Sequence, residues 1–171
     1  GVKVESVPWA MGKHSLTKAY MLYLAHWARK LSWKETALSF GTTWDHVCHA
    51  VEYVVQWGLE HRELGTLRAI GVDEIHIGQS RKFLTLVYQI EADCVRLLWV
   101  GKDRTMDTVR MHRELLLNYF RAKKQFSSGV IEGLNNKAKV TLRKAYGYRT
   151  FRIAELSLYH VLGKLPEPKL A

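Results

Sequence analysis

The sequence predicts an α+β chain: a three-helix unit on the plan of a helix-turn-helix, then a three-stranded antiparallel meander, then basic helices. Three observations carry this. Apolar residues recur at helical spacing through residue 64. Between 69 and 100 they gather instead into short strand-like runs parted by turn residues. Helical spacing then returns in a region crowded with lysine and arginine. The period changes at Leu64-Gly65, which divides a helical region, 1–64, from a mixed region, 65–171.

The first helix is expected to start at Ser15, a good N-cap, with Leu16, Tyr20, Leu24, Trp27, Ala28 and Leu31 at helical spacing. Ser32 and Glu35 form an S-x-x-E capping box and open a short second helix, which Gly41 ends. Thr42 and Asp45 mark the start of a long third helix, 42–61, with Val47, Ala50, Val51, Val54, Gly58 and Leu59 on one side. A small residue, Ala37, four positions before a glycine turn suits two helices in close approach, the plan of a helix-turn-helix. The would-be recognition helix carries no lysine or arginine, so a three-helix packing unit fits the same pattern.

Strands are expected at 69–77, 82–90 and 95–100. Their near-continuous apolar runs predict a sheet covered on both faces. A helical pattern covers 105–120, another begins near Ser127-Ser128, and a last amphipathic helix runs over 151–162. In the second of these, Ile131, Leu134, Ala138, Thr141, Leu142 and Ala145 face one way. Glu132, Asn135, Asn136, Lys139 and Arg143 are expected to face the other.

Composition narrows the class. The chain of 171 residues is 47% hydrophobic and 25% charged, which suits a globular protein and excludes a disordered one. No run approaches the length of a membrane span, and the N-terminal residues lack the pattern of a signal peptide, so no membrane partner is expected. The chain opens on Gly rather than Met, so an upstream start is expected. Cys48 and Cys94 make neither a CxxC nor a Cys/His cluster, which argues against zinc and disulfides and for the cytoplasm.

Net charge is +10, and 121–152 alone supplies +8, from nine basic residues and a single acid, Glu132. Such a block is the electrostatic footprint of a nucleic-acid partner. Two carboxylates stand out against their surroundings. Asp73 interrupts an apolar strand, where an unpaired buried charge is costly, so it needs a cation, a metal or solvent. Glu132 is isolated among cations beside Asn135, Asn136 and Lys139. Carboxylates holding Mg²⁺ at a basic surface are what phosphodiester chemistry uses. Spacing alone leaves open a structural role for both, with Asp73 paired to a base and Glu132 easing helix repulsion.

These blocks resemble the bacterial insertion-sequence DDE transposases of the ISL-three type. The matching stretches include V-K-V-E-S-V-P-W-A at 2–10, I-G-V-D-E-I at 70–75 and L-L-W-V-G-K-D-R-T at 97–105. They continue as L-L-L-N-Y-F-R-A-K-K-Q-F-S-S-G-V-I-E-G-L-N-N-K-A-K at 115–139, and together span nearly the whole chain. The resemblance implies a ribonuclease-H-like catalytic region behind a helix-turn-helix, with Asp73 and Glu132 as catalytic metal ligands for Mg²⁺ or Mn²⁺. It implies double-stranded DNA, the transposon ends, as partner. Lys123, Lys124, Asn135, Asn136, Lys137, Lys139, Arg143, Lys144 and Arg149 are the expected DNA contacts.

There are departures. The family carries a Cys-rich zinc ribbon before the first block, and this chain starts at that boundary. The family's second catalytic Asp lies well beyond the K-D-R-T block, but here only nine residues separate Thr105 from Leu115. Asp103 and Asp107 are the nearby acids; Asp103 belongs to the end of the third strand and gives no reason to occupy the missing position, and a third reading has Asp103 or Asp107 rescue activity. The expectation is an internally deleted, catalytically defective transposase that keeps DNA affinity. The alternative is a non-enzymatic interaction protein that self-associates or pairs with full-length transposase and regulates it.

Overall fold

The computed structural model describes Trp9 and residues 15–77, 82–102, 128–144, 148 and 150–169. The chain divides into two compact units. One is Gly1–Arg62 with Leu165–Ala171, the other Glu63–Lys164.

In the first unit, helices α1 (Lys18–Ala28), α2 (Trp33–Ser39) and α3 (Trp44–Glu60) pack together. Their core is Met21, Leu24, Ala25, Trp33, Ala37, Val47, Ala50, Val51 and Val54, all buried. The Ser32–Glu35 capping box forms on both sides: the Glu35 backbone N–H donates to the Ser32 hydroxyl, and the Ser32 N–H to the Glu35 carboxylate. Gly41 takes φ +59°, the left-handed conformation that closes α2. Its N–H donates to Leu38 O at 3.4 Å and the Thr42 N–H to Ala37 O at 2.9 Å, the paired bonds of a Schellman turn.

Two helix starts differ from expectation. Thr17, not Ser15, caps α1, and Thr43, not Thr42, caps α3. The displaced hydroxyls go to one imidazole: Ser15 Oγ lies 3.2 Å from His46 Nε2 and Thr42 Oγ1 lies 2.9 Å from Nδ1.

The C-terminal segment returns to α3, where Gly58 leaves room for it. A Cβ on Gly58 would stand 2.6 Å from Leu165 Cβ and 2.8 Å from the Pro166 carbonyl oxygen. Arg29 adds an ion pair to Glu167 at 2.6 Å. Gly58→Val should therefore cost about 1–3 kcal/mol in urea unfolding, the usual range for overpacking. An unchanged midpoint would mean that the segment does not rest on α3.

The second unit is built on a sheet of β1 (Ile70–Ile77), β2 (Lys82–Ile90) and β3 (Val95–Lys102), antiparallel in that order. Helices α4 (Ser128–Lys144) and α5 (Phe151–Leu162) follow. The helix expected at 105–120 lies outside the described residues. Register sets Gly71 opposite Tyr88, Asp73 opposite Leu86 and Ile75 opposite Leu84, so these six share one sheet face. That face receives α4: a Cβ on Gly71 would meet Ile131 Cδ1 at 2.7 Å. An irregularity between Val87 and Tyr88 sets Leu98 outside the β2–β3 register, and the Tyr159 hydroxyl of α5 donates to its carbonyl at 3.3 Å.

On the opposite face Ile70, Val87 and Leu98 are buried with Leu64, Leu67, Val72 and Trp99 packed against them. Cover on this second face is incomplete, because Glu74 and His76 are exposed. The expectation of burial on both faces holds along β2, where residues 84–90 are all buried, but at only one end of β1. Entry to β1 is fixed by Glu91, 7% exposed, whose carboxylate accepts from the Arg68 N–H at 2.7 Å and the Ala69 N–H at 3.4 Å. Among the described residues no helix is long and apolar enough to cross a membrane.

Candidate active site

Asp73 sits mid-strand on β1, on the face that α4 covers, and is half-buried. Both its carboxylate oxygens accept hydrogen bonds. The Glu74 backbone N–H donates to Oδ1 at 2.7 Å, and the Asn135 side-chain amide nitrogen donates to Oδ2. The acid on the helix-covered face of β1 is thus satisfied by neutral donors among the described residues, not by the cation that spacing allowed.

Asn135 is 5% exposed. Its amide oxygen accepts from the Tyr88 hydroxyl at 3.1 Å, and Tyr88 is fully buried on β2. Burial pushes the Tyr88 phenol far up from its ordinary value, and the Asp73 carboxylate pushes it in the same direction. The phenol therefore keeps its proton and remains a donor across the working pH range. Tyr88, Asn135 and Asp73 form one directed line of hydrogen bonds, from the core to the sheet face.

Asn135 is the clearest departure from the sequence reading, which turned it outward. It lies four residues after Ile131 and three before Ala138, inside the apolar stripe of α4. Its polarity suggested the outer face, but position decides, and the buried amide is satisfied by Tyr88 and Asp73. Tyr88 was missed altogether. A tyrosine in an apolar strand reads as core, and its partner lies far along the chain.

Glu132 is exposed on α4, one turn before Asn135. The structure thus brings the helix that carries Glu132 against the strand that carries Asp73. Asn136, Lys137, Lys139, Arg143 and Lys144 are all exposed on α4, while Leu134, Ala138, Thr141 and Leu142 are buried beneath them. Lys123, Lys124 and Arg149 lie outside the described residues, as do Asp103 and Asp107. No group of three or more His, Cys, Asp or Glu able to hold a metal ion occurs among the described residues.

Residues 104–157, about a third of the chain, match the family model of the ISL-three type DDE transposases, described as a transposase. The matched stretch contains the whole of α4 and the first seven of the twelve residues of α5. It defines the class: the chain carries a transposase segment. Over that segment the chain is similar to the DDE transposases of the ISL-three type. No curated protein and no solved structure matches it.

Proposed function

We propose that the chain is a transposase-derived DNA-binding protein whose own DDE chemistry is defective. In this reading the first unit is a helix-turn-helix, and the sheet of the second is the start of a ribonuclease-H-like region. The observation that carries it is the two-sided character of α4. Its outer side presents Asn136, Lys137, Lys139, Arg143 and Lys144 to solvent, and its inner side holds Asp73 through Asn135. Helix α3 makes a poorer DNA-reading element. Its exposed residues include Trp44, Asp45 and His49, and no lysine or arginine lies along it.

Asp73 and Glu132 are the residues that would hold a divalent ion. Two hard carboxylates fit one largely hydrated Mg²⁺, which keeps several waters in an octahedral shell. Bound there, the ion would polarise a phosphate oxygen. The pair falls short of the two-ion set that an in-line displacement on DNA uses, because a second group of ligands is required. The shortening between Thr105 and Leu115 removes the place where the family carries its second Asp.

Fluorescence anisotropy with a DNA duplex across a salt series tests the reading. About six phosphate contacts from 121–152 give a log–log slope near −5. A flat response with no affinity at low salt overturns it. No nicking is expected at saturating Mn²⁺, and nicking that disappears in Asp73→Asn would show an intact centre instead. A second reading, pairing with full-length transposase, is favoured by β1 having a single partner strand among the described residues. Co-purification with intact transposase in the absence of DNA would select it.

A further inference from the structure

We propose that Asn135 is a positioning residue that aims the Asp73 carboxylate, and that the Tyr88 hydroxyl dictates which end of the Asn135 amide Asp73 meets. The inference rests on the reading of Asp73 as a metal ligand, and it goes further by assigning two residues that reading does not use.

The chemistry of the three groups leaves one arrangement. An ionised carboxylate only accepts, and a phenol has one proton to give. An amide placed between them satisfies both only with its nitrogen toward Asp73 and its oxygen toward Tyr88. The reversed amide would set oxygen against carboxylate and leave its NH₂ facing the Tyr88 hydroxyl, which could accept from it only by turning its own proton elsewhere. Both distal groups are buried, Tyr88 fully and Asn135 to 5% exposure, so water does not offer a ready substitute. The Glu74 N–H holds Oδ1, and Asn135 holds Oδ2. With both oxygens fixed, the plane of the carboxylate is fixed, and the unused lone pairs point in set directions.

The line also spans the three elements that build the site: β2 supplies Tyr88, β1 Asp73 and α4 Asn135. Asn135 is one turn beyond Glu132, so the residue that aims one carboxylate sits on the helix that carries the other. An oriented ligand binds a metal more tightly than a free one, and removing the orienting partner typically weakens binding about 10–100-fold.

The test uses the full chain and two readouts. Mn²⁺ binding, followed by the loss of the free-ion electron paramagnetic resonance signal, is measured for wild type, Asp73→Asn, Asn135→Ala, Tyr88→Phe and the double variant Tyr88→Phe/Asn135→Ala. Asp73→Asn should abolish binding, and Asn135→Ala should weaken it about 10–100-fold. Tyr88→Phe should weaken it less, and should add nothing once Asn135 is alanine. A residue that merely supports the fold would give additive losses instead. Equal affinity in wild type and Asn135→Ala, with both folded by circular dichroism, overturns the proposal.

The second readout needs no metal. The side-chain NH₂ of Asn135 should exchange slowly with solvent in the ¹⁵N spectrum, and its resonance should move in both Asp73→Asn and Tyr88→Phe. A fast-exchanging NH₂ that ignores both variants overturns the positioning role. A wild type that binds no Mn²⁺ but keeps the protected amide retires the metal reading alone and leaves the orientation of Asp73 standing.

Discussion

Alanine at Lys137, Lys139, Arg143 and Lys144 together is expected to flatten the salt dependence of DNA binding from a slope near −5 to one near −2. Each phosphate contact contributes about −0.9 to the slope, so four lost contacts remove roughly 3.6. Between 50 and 200 mM salt the wild type should then lose affinity about a thousandfold and the variant about tenfold. The structure makes this a clean substitution. All four side chains are exposed, and the residues that pack α4 on the sheet, Leu134, Ala138 and Leu142, are untouched. Alanine also favours helix. A structural cost falls at the C-terminal turn, where Arg143 and Lys144 complement the helix dipole for about 0.3–1 kcal/mol. A slope unchanged by the four substitutions would place the phosphate contacts elsewhere in the chain.

Leu86→Ala is expected to be the most damaging single change in the second unit. Leu86 is fully buried at the middle of the central strand, opposite Asp73 on one side and Val100 on the other. Removing a buried leucine side chain costs about 2–5 kcal/mol, the higher values where the neighbours cannot collapse into the space. A strand paired on both edges gives them little freedom to do so. Against a total stability of about 5–15 kcal/mol, this is enough to lower the melting temperature by on the order of 10 °C or more. A shift of one or two degrees in differential scanning calorimetry would mean that the sheet is not the centre of this unit's stability. The substitution also lies on the face that carries the site, so DNA affinity and Mn²⁺ binding should be compared at a temperature where the variant is still folded.

Much of this architecture is legible in the sequence because it depends on local rules. Helix α5 occupies the span that its apolar spacing predicts, and β2 runs over 82–90 as expected. The S-x-x-E signature at Ser32 gives the cap that it names. The misplaced starts of α1 and α3 have one physical reason. Each start offers two hydroxyl residues, Ser15 or Thr17 and Thr42 or Thr43, and either can cap. His46 takes the outer hydroxyl of each pair; it is four residues from Thr42 but thirty-one from Ser15. Local rules cannot see that far.

The same limit divides the site. Asp73 and Glu132 stand out because each is an anomaly within its own segment. Asn135 and Tyr88 do not, because each becomes polar machinery only when β2 and α4 meet. A polar residue inside an apolar helical stripe was the available signal for Asn135: it asks which buried group will answer it. For Tyr88 no such signal exists, since a phenol in a strand is ordinary core until its partner is known.

The seat of Leu165 on Gly58 also bears on the order in which the molecule is made. Helix α3 is synthesised early, but the segment that closes over it emerges about a hundred residues later, after the whole second unit. A contact of such long sequence separation forms late and slowly. During translation the three-helix bundle must therefore wait with that flank of α3 bare, while the sheet and its helices leave the ribosome. The nascent chain is most exposed to chaperones and proteases in that interval, and the last contact to form in the first unit is supplied by the last described residues of the chain.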